Sequence, residues 1–361
     1  MTPDGGVVRL EAASGVEFQH ITAARAETER RLVERRSQIA PVQTDEDATV
    51  VLMGSWGRRE VTSESDDDFM VLLVGESREG ARPSIEEVAA ALGGRPPGRE
   101  QIFGRNVLLS ELRDKIGRDA DTNTNLTRRM LLMLESVAIR SDDVHAGARR
   151  GLIAGYLEAN IKDHRPPRFL LNDLVRYWRT IAVDFESKMR ARKGEGWGLR
   201  NAKLRLSRKA LFAGGLLPVL DCHRYPVGDM LGYLADRMSV PPLDRLADAF
   251  VDRGALDPGV RALGAYDEFL AILDDGPKRQ ALSELGAAEA GESSLFARVA
   301  ELGKEFEAGL LALLFDDPER WCERGRATGN EVVVAAGPQR QRPSSGTAKR
   351  RSPNGSVRRP A

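Results

Sequence analysis

The chain has 361 residues, of which 41% are hydrophobic and 30% charged, and its 54 basic and 54 acidic side chains cancel to a formal net charge of zero. That length suggests two domains with a sizeable core, and the balanced charge argues against a general nucleic-acid binder. No apolar run reaches membrane-spanning length, and the two cysteines, Cys222 and Cys322, stand too far apart for a zinc pattern.

The N-terminus, MTPDGGVVRLEAAS, has no basic segment leading into an apolar core, so no signal peptide is expected and the chain reads as cytoplasmic and not membrane-bound. Residues 1–13 read as loosely ordered. Ser14 is placed to cap a helix running to about residue 39, with Val16, Ile21, Ala24, Leu32 and Ile39 in its apolar stripe. Residues 50–53 are an apolar run of strand length. A polar turn opens with Gly54-Ser55 and runs to Ser65. A second apolar run at 69–74 is entered through Asp66-Asp67-Asp68. Ser84 should cap a short helix to residue 92, with Glu86 and Glu87 in its first turn. After the turn-rich GGRPPGR at 93–99, residues 100–109 read as a third strand.

Leu126, Met130, Leu131, Met133 and Leu134 suit a buried helix face, beside which Arg128 and Arg129 read either as exposed charges or as phosphate contacts. Strand signals vanish beyond about residue 140. Helices are expected at 142–161 and 169–190, the second with Leu171, Leu174, Val175, Trp178, Ile181 and Phe185 as its stripe. Residues 197–220 carry a basic run. Arg200, Lys203 and Ser207 fall at helical spacing in it, as do Arg205, Arg208 and Lys209. Either this side is solvated, or Arg200, Lys203 or Arg208 faces a cleft and takes phosphate or an acidic acceptor. Short helices continue to about residue 330. His20, His145, His164 and His223 lack metal-ligand spacing and read as structural. The acid-free tail at 337–361 should be disordered, and it reads equally as a contact for nucleic acid or another negatively charged partner and as an inert extension.

The chemistry concentrates at residues 50–75. Alternate side chains on a strand share one face, which would place Asp66 and Asp68 side by side. Two adjacent carboxylates repel unless neutralised, and Mg²⁺ suits them because it prefers oxygen ligands and keeps phosphates in its shell. Gly54 lets backbone approach a phosphate, and Ser55 offers a hydroxyl and an N–H. A solvated acidic turn is the plainer reading of SESDDD, but it needs no Gly-Ser pair upstream. Neither a Walker-type loop nor an EF-hand calcium loop is present.

The pattern Gly54-Ser55-x-x-Arg58-x-Glu60-x-Thr62-x-x-Ser65-Asp66-x-Asp68 resembles the signature of the DNA polymerase β-type nucleotidyltransferase superfamily. Its G-S-x-G-R-x-E form is most like the bacterial branch that includes the uridylyltransferase of nitrogen signalling. The resemblance implies an α+β fold: a catalytic domain at 1–138 with a mixed sheet, an all-helical domain at 139–330, and a tail at 331–361. It implies that Gly54 and Ser55 grip the triphosphate and that Asp66 and Asp68 bind two Mg²⁺, with Mn²⁺ as an alternative. A third carboxylate would come from a later strand, Glu100 being the best placed and Glu111 the second candidate. Arg58, Glu60, Thr62 and Ser65 would build the turn and support the phosphates, and Arg200 and Lys203 would add nucleotide contacts. Arg59 and Asp67 depart from the family's usual residues, and an Asp67 facing the core would need a partner. The implied partners are an NTP and an acceptor that is a protein, a small molecule or RNA.

Overall fold

The computed structural model describes residues 5–75, 80–93, 102–158, 161–191 and 196–315. Glu100, Cys322 and the basic tail lie outside the described residues. The chain opens with two helices, α1 (Gly6–Ser14) and α2 (Gln19–Ile39). This corrects both the loose order expected before residue 14 and the single helix capped by Ser14. Gly15, at φ 74°, ends α1 in the left-handed region that glycine tolerates. The Ser14 hydroxyl donates back to Leu10 O at 2.7 Å. Val7, Leu10, Phe18 and Ile21 are buried in one cluster with Phe250, Tyr266 and Phe306, so the start of the chain is packed into its helical core.

Next come β1 (Ala48–Met53), the one-turn α3 (Ser55–Arg58), β2 (Phe69–Leu73), α4 (Ile85–Leu92), β3 (Asn106–Leu108), α5 (Leu109–Arg113), α6 (Asn123–Leu134) and β4 (Ser136–Arg140). The four strands form a mixed sheet in the order β3-β2-β1-β4. β1 is antiparallel to β2 and β4, whereas β2 is parallel to β3. Both faces are covered. Val51, Met53, Met70 and Leu72 pack into one core, and Val50, Leu52, Phe69 and Val71 into another. The period of two in the pleat explains that division, and burial on both faces explains the unbroken apolar runs. α4 starts as expected, with Ser84 and Glu87 in a reciprocal capping box.

Two sheet assignments need correction. The third strand shrinks to Asn106–Leu108, because Leu109 already begins α5. β4 carries no separate signal in the sequence: α6 runs to Leu134, and a single residue, Glu135, separates it from the strand.

The rest is helical: α7 (Asp142–Leu157), α8 (Arg168–Ala191), α9 (Trp197–Lys203), α10 (Lys209–Asp221), α11 (Val227–Ser239), α12 (Pro242–Asp252), α13 (Leu256–Asp274), α14 (Gly276–Glu284) and α15 (Ser294–Phe315). A π turn, Leu204–Arg208, joins α9 to α10. The stripe of α8 differs from expectation: Leu170, Leu174 and Tyr177 are buried while Val175 is exposed. Asp173 lies on that buried face because Arg129 is its partner. Arg129 is fully buried and meets Asp121 at 2.6 and 2.9 Å, Asp173 at 2.9 Å and Tyr156 Oη at 2.9 Å. It is therefore neither an exposed charge nor a phosphate contact. No helix among the described residues is long and apolar enough to cross a membrane.

Candidate functional site

The site begins where β1 ends. Met53 N–H donates to Asp68 O at 2.9 Å, which ties the end of β1 to the residue before β2. Gly54 then takes φ 69° and ψ −124°, a region in which a side chain would be strained. A Cβ at Gly54 would lie 3.9 Å from Asp68 Oδ2, so the turn and this carboxylate are neighbours. The following helix is a single turn, held by Arg58 N–H to Gly54 O at 3.1 Å and Glu60 N–H to Ser55 O at 2.8 Å. Trp56 is buried, and its Nε1 donates to Asp66 O at 3.1 Å, anchoring the acidic segment from below.

Asp66, Asp67 and Asp68 precede β2, which starts at Phe69. They therefore sit in the loop rather than on the strand proper. The alternation still holds in part: Asp67 turns away and pairs with Arg35 on α2 at 3.0 Å. The Arg35 guanidinium in turn lies 5.7 Å from the centre of the Trp56 ring. That pair supplies the partner that Asp67 needs. Asp68 has a carboxyl pushed up to about 6, first by burial and then by the neighbouring charge of Asp66.

The basic run at 197–220 splits into two groups. Arg205 bonds Asn201 Oδ1 at 2.6 Å and lies over Phe296, while Lys209 pairs with Glu307 of α15 at 2.7 Å. Lys203 and Arg208 go the other way, and their charges act on Asp68. The π turn between them explains this grouping. In an α-helix five residues advance about 500°, which would leave the two side chains about 140° apart. A π turn bonds i to i+5 and brings residues five apart back toward one line. The Lys203 amine is pulled down to about 8 by burial, then by Arg279 and Arg208, against the attraction of Asp66. Arg279, from α14, donates to Thr62 Oγ1 at 3.2 Å and to Glu64 O at 3.1 Å, and so holds the loop ahead of Asp66. The positive charges of Lys203 and Arg208 thus favour the charged form of Asp68 against its burial.

Beneath the turn lies a buried ionic network. Arg58 bonds Glu60 Oε2 at 2.9 Å and Glu135 Oε2. Glu135 Oε1 accepts from Arg208 at 2.9 Å, and Glu60 Oε1 accepts from Tyr266 Oη at 2.6 Å. Despite burial, which opposes its charge, Arg58 is held protonated by Glu135 and Glu60.

Among the expected site residues, the structure brings Gly54, Ser55, Asp66, Asp68 and Lys203 to one end of the sheet. Arg58 belongs to the architecture of the turn, its guanidinium buried and bonded to two carboxylates. The Ser65 hydroxyl accepts from Thr62 N–H at 3.0 Å and so shapes the loop. The Arg200 guanidinium carbon lies 3.8 Å from where a Cβ on Gly196 would sit, at the start of α9. Glu111 is exposed on α5, and its carbonyl accepts from Asn125 at 3.4 Å. Sequence reasoning missed Glu135, Tyr266 and Arg279. A lone acid inside the apolar stretch MLLMLESVAI was a signal for Glu135, but nothing in the local sequence marks the other two.

No group of three His, Cys, Asp or Glu suited to a metal ion occurs among the described residues. The donor chemistry of Asp66 and Asp68 nevertheless fits a divalent cation. Burial and the neighbouring charge of Asp66 both oppose a charged Asp68, and a divalent cation relieves both, with phosphate and water supplying its other oxygens.

Residues 6–94 match the family described as Putative nucleotidyltransferase DUF294. The match runs from α1 through the Gly54-Ser55 turn and the Asp66–Asp68 loop to the end of α4. No curated protein and no solved structure matches the chain. The family match supports a nucleotidyltransferase activity for the segment that carries this turn and these carboxylates.

Proposed function

We propose that this protein is a Mg²⁺-dependent nucleotidyltransferase that moves a nucleoside monophosphate from an NTP to an acceptor hydroxyl. The observation that carries this reading is the close approach of the Gly54 turn to Asp68, where a Cβ on Gly54 would lie 3.9 Å from Oδ2, with the charges of Lys203 and Arg208 near enough to act on that carboxylate. In the reaction the acceptor oxygen bonds to the α-phosphorus. The bond from that phosphorus to the bridging oxygen breaks, and pyrophosphate leaves with the electron pair. The acceptor proton passes to solvent. Asp66 and Asp68 would hold Mg²⁺, which when bound supplies Lewis-acid neutralisation of the phosphates. Gly54 and Ser55 bind the phosphate chain through backbone and hydroxyl. Lys203 and Arg208 offset the charge that gathers on the leaving pyrophosphate, so the protein's work is positioning and electrostatics.

A protein or small molecule is the favoured acceptor, given the neutral net charge. The acid-free basic tail at 337–361 favours RNA as a second reading. An RNA affinity that falls steeply with salt and disappears with the tail would select it. The deciding experiment incubates the protein with each α-labelled NTP and Mg²⁺, alone and with cell extract, beside Asp66→Asn/Asp68→Asn. Label transferred only by the wild type supports the activity and names the acceptor class. Nucleotide binding without any transfer would turn the reading toward a nucleotide-binding regulator.

A further inference from the structure

Both carboxylate oxygens of Glu135 are committed to arginines, and the residue is 1% exposed. The two arginines come from different parts of the fold. Arg58 ends the one-turn helix that follows Gly54, and Arg208 ends the π turn that joins α9 to α10. Beyond Arg58 the chain of bonds continues through Glu60 to Tyr266 on α13. Arg208 therefore reaches Tyr266 through three buried side chains, Glu135, Arg58 and Glu60. The backbone of Glu135 also lies directly against Gly57, inside the same turn. A metal role for this carboxylate is disfavoured, because both oxygens would first have to give up a cation.

We propose that Glu135 is a positioning residue of the nucleotide site, which fixes the Gly54-Ser55 turn and Arg208 as one rigid unit facing Asp68. It touches neither nucleotide nor metal. By holding Arg58 it sets the height of the turn over the sheet, and by holding Arg208 it sets where the cation points. Arg208 is the natural transmitter, since its side chain is 34% exposed while the Glu135 side chain is sealed. This inference rests on the nucleotidyltransferase reading.

The test uses the full-length protein, ribose-labelled fluorescent NTPs and Mg²⁺, with thermal melting of every variant. Glu135→Gln should weaken nucleotide affinity about tenfold, as should Arg208→Gln. The double variant should lose less affinity than the two single losses combined, because the part of the Glu135 effect that passes through Arg208 is already gone. A merely structural Glu135 would lower the melting temperature and leave the affinity of the folded protein unchanged, and that result overturns the proposal. Fully additive losses would overturn it as well. Should Glu135→Gln fail to fold, the same cycle is run with Tyr266→Phe. That change removes one hydroxyl at the far end of the network and should weaken affinity about threefold, and wild-type affinity in it would count against the network. Absence of nucleotide binding by the wild type, or binding unchanged in Asp66→Asn/Asp68→Asn, instead sinks the underlying functional reading and the proposal with it.

Discussion

Gly57 meets Glu135 backbone to backbone: a Cβ on Gly57 would fall 2.0 Å from the Glu135 carbonyl carbon and 2.4 Å from Ser136 N. The one-turn helix α3 thus lies flush on the start of β4, and only a residue without a side chain permits it. The second glycine of G-S-x-G is explained by this contact with the sheet, with no direct contact to a ligand required. Gly57→Ala must push the turn off β4, since the obstructing atoms are backbone. We expect a loss of at least about 1–3 kcal/mol, as for overpacked core sites. Urea unfolding would measure it, and a wild-type midpoint would show that the turn is not seated as described.

The π turn makes the basic run at 203–209 separable by function. The charges of Lys203 and Arg208 act on Asp68, whereas Arg205 lies over Phe296 and Lys209 pairs with Glu307. Lys203→Met should therefore weaken binding of a fluorescent NTP about tenfold or more. Arg205→Met and Lys209→Met should leave binding unchanged and shift the melting temperature slightly. Equal losses from all three would mean that the run acts as a diffuse positive patch.

His145 gives a pH signature. It is buried on α7, its Nε2 lies 2.8 Å from Ser136 Oγ, and the Ser136 hydroxyl already donates to Leu132 O at 2.6 Å. The imidazole Nε2 must therefore carry a proton and donate to Ser136 Oγ. Burial, with a smaller push from Arg149, takes it down to about 3 from an ordinary 6.5. Above pH 6.5 the folded and unfolded states are both neutral, and this group adds no slope. As pH falls from 6.5 toward 3, only the unfolded chain takes the proton, so stability drops by about 1.4 kcal/mol per pH unit. His145→Gln keeps a donor near the same place and should flatten that slope in urea melts at pH 7.5 and 5. An identical slope in both proteins would assign the acid sensitivity to other groups.

Arg129 is the structural arginine of this chain. It satisfies Asp121, Asp173, Tyr156 Oη and Leu112 O from a fully buried position. Arg129→Met leaves two buried carboxylates with only the partly exposed Arg176 as a shared counter-ion and should cost about 3 kcal/mol. Arg128→Met, whose Nε bonds Ile102 O at 3.2 Å, should cost less. Equilibrium unfolding of the two side by side checks this, and the reverse ranking would contradict the network.

The sequence by itself determined what depends on neighbours along the chain. Apolar runs marked β1 and β2, Ser84 and Glu87 marked the start of α4, and the spacing of Gly54, Ser55, Asp66 and Asp68 marked a turn beside two carboxylates. Each of these follows from local geometry, a period of two, a cap or a tight turn, which a short window of residues can show. The tertiary structure decided what depends on partners far away. Arg35 accounts for Asp67, Arg129 for Asp173, and the tight packing of Glu135 for Gly57. β4 was hidden because its pairing with β1, not its own residues, makes it a strand. Lys203 and Arg208 share a direction only because one helix widens into a π turn, and a helical wheel drawn from sequence assumes that it does not. A buried charge is legible only once its counter-charge is known, and for Glu135 those counter-charges lie 77 and 73 residues away.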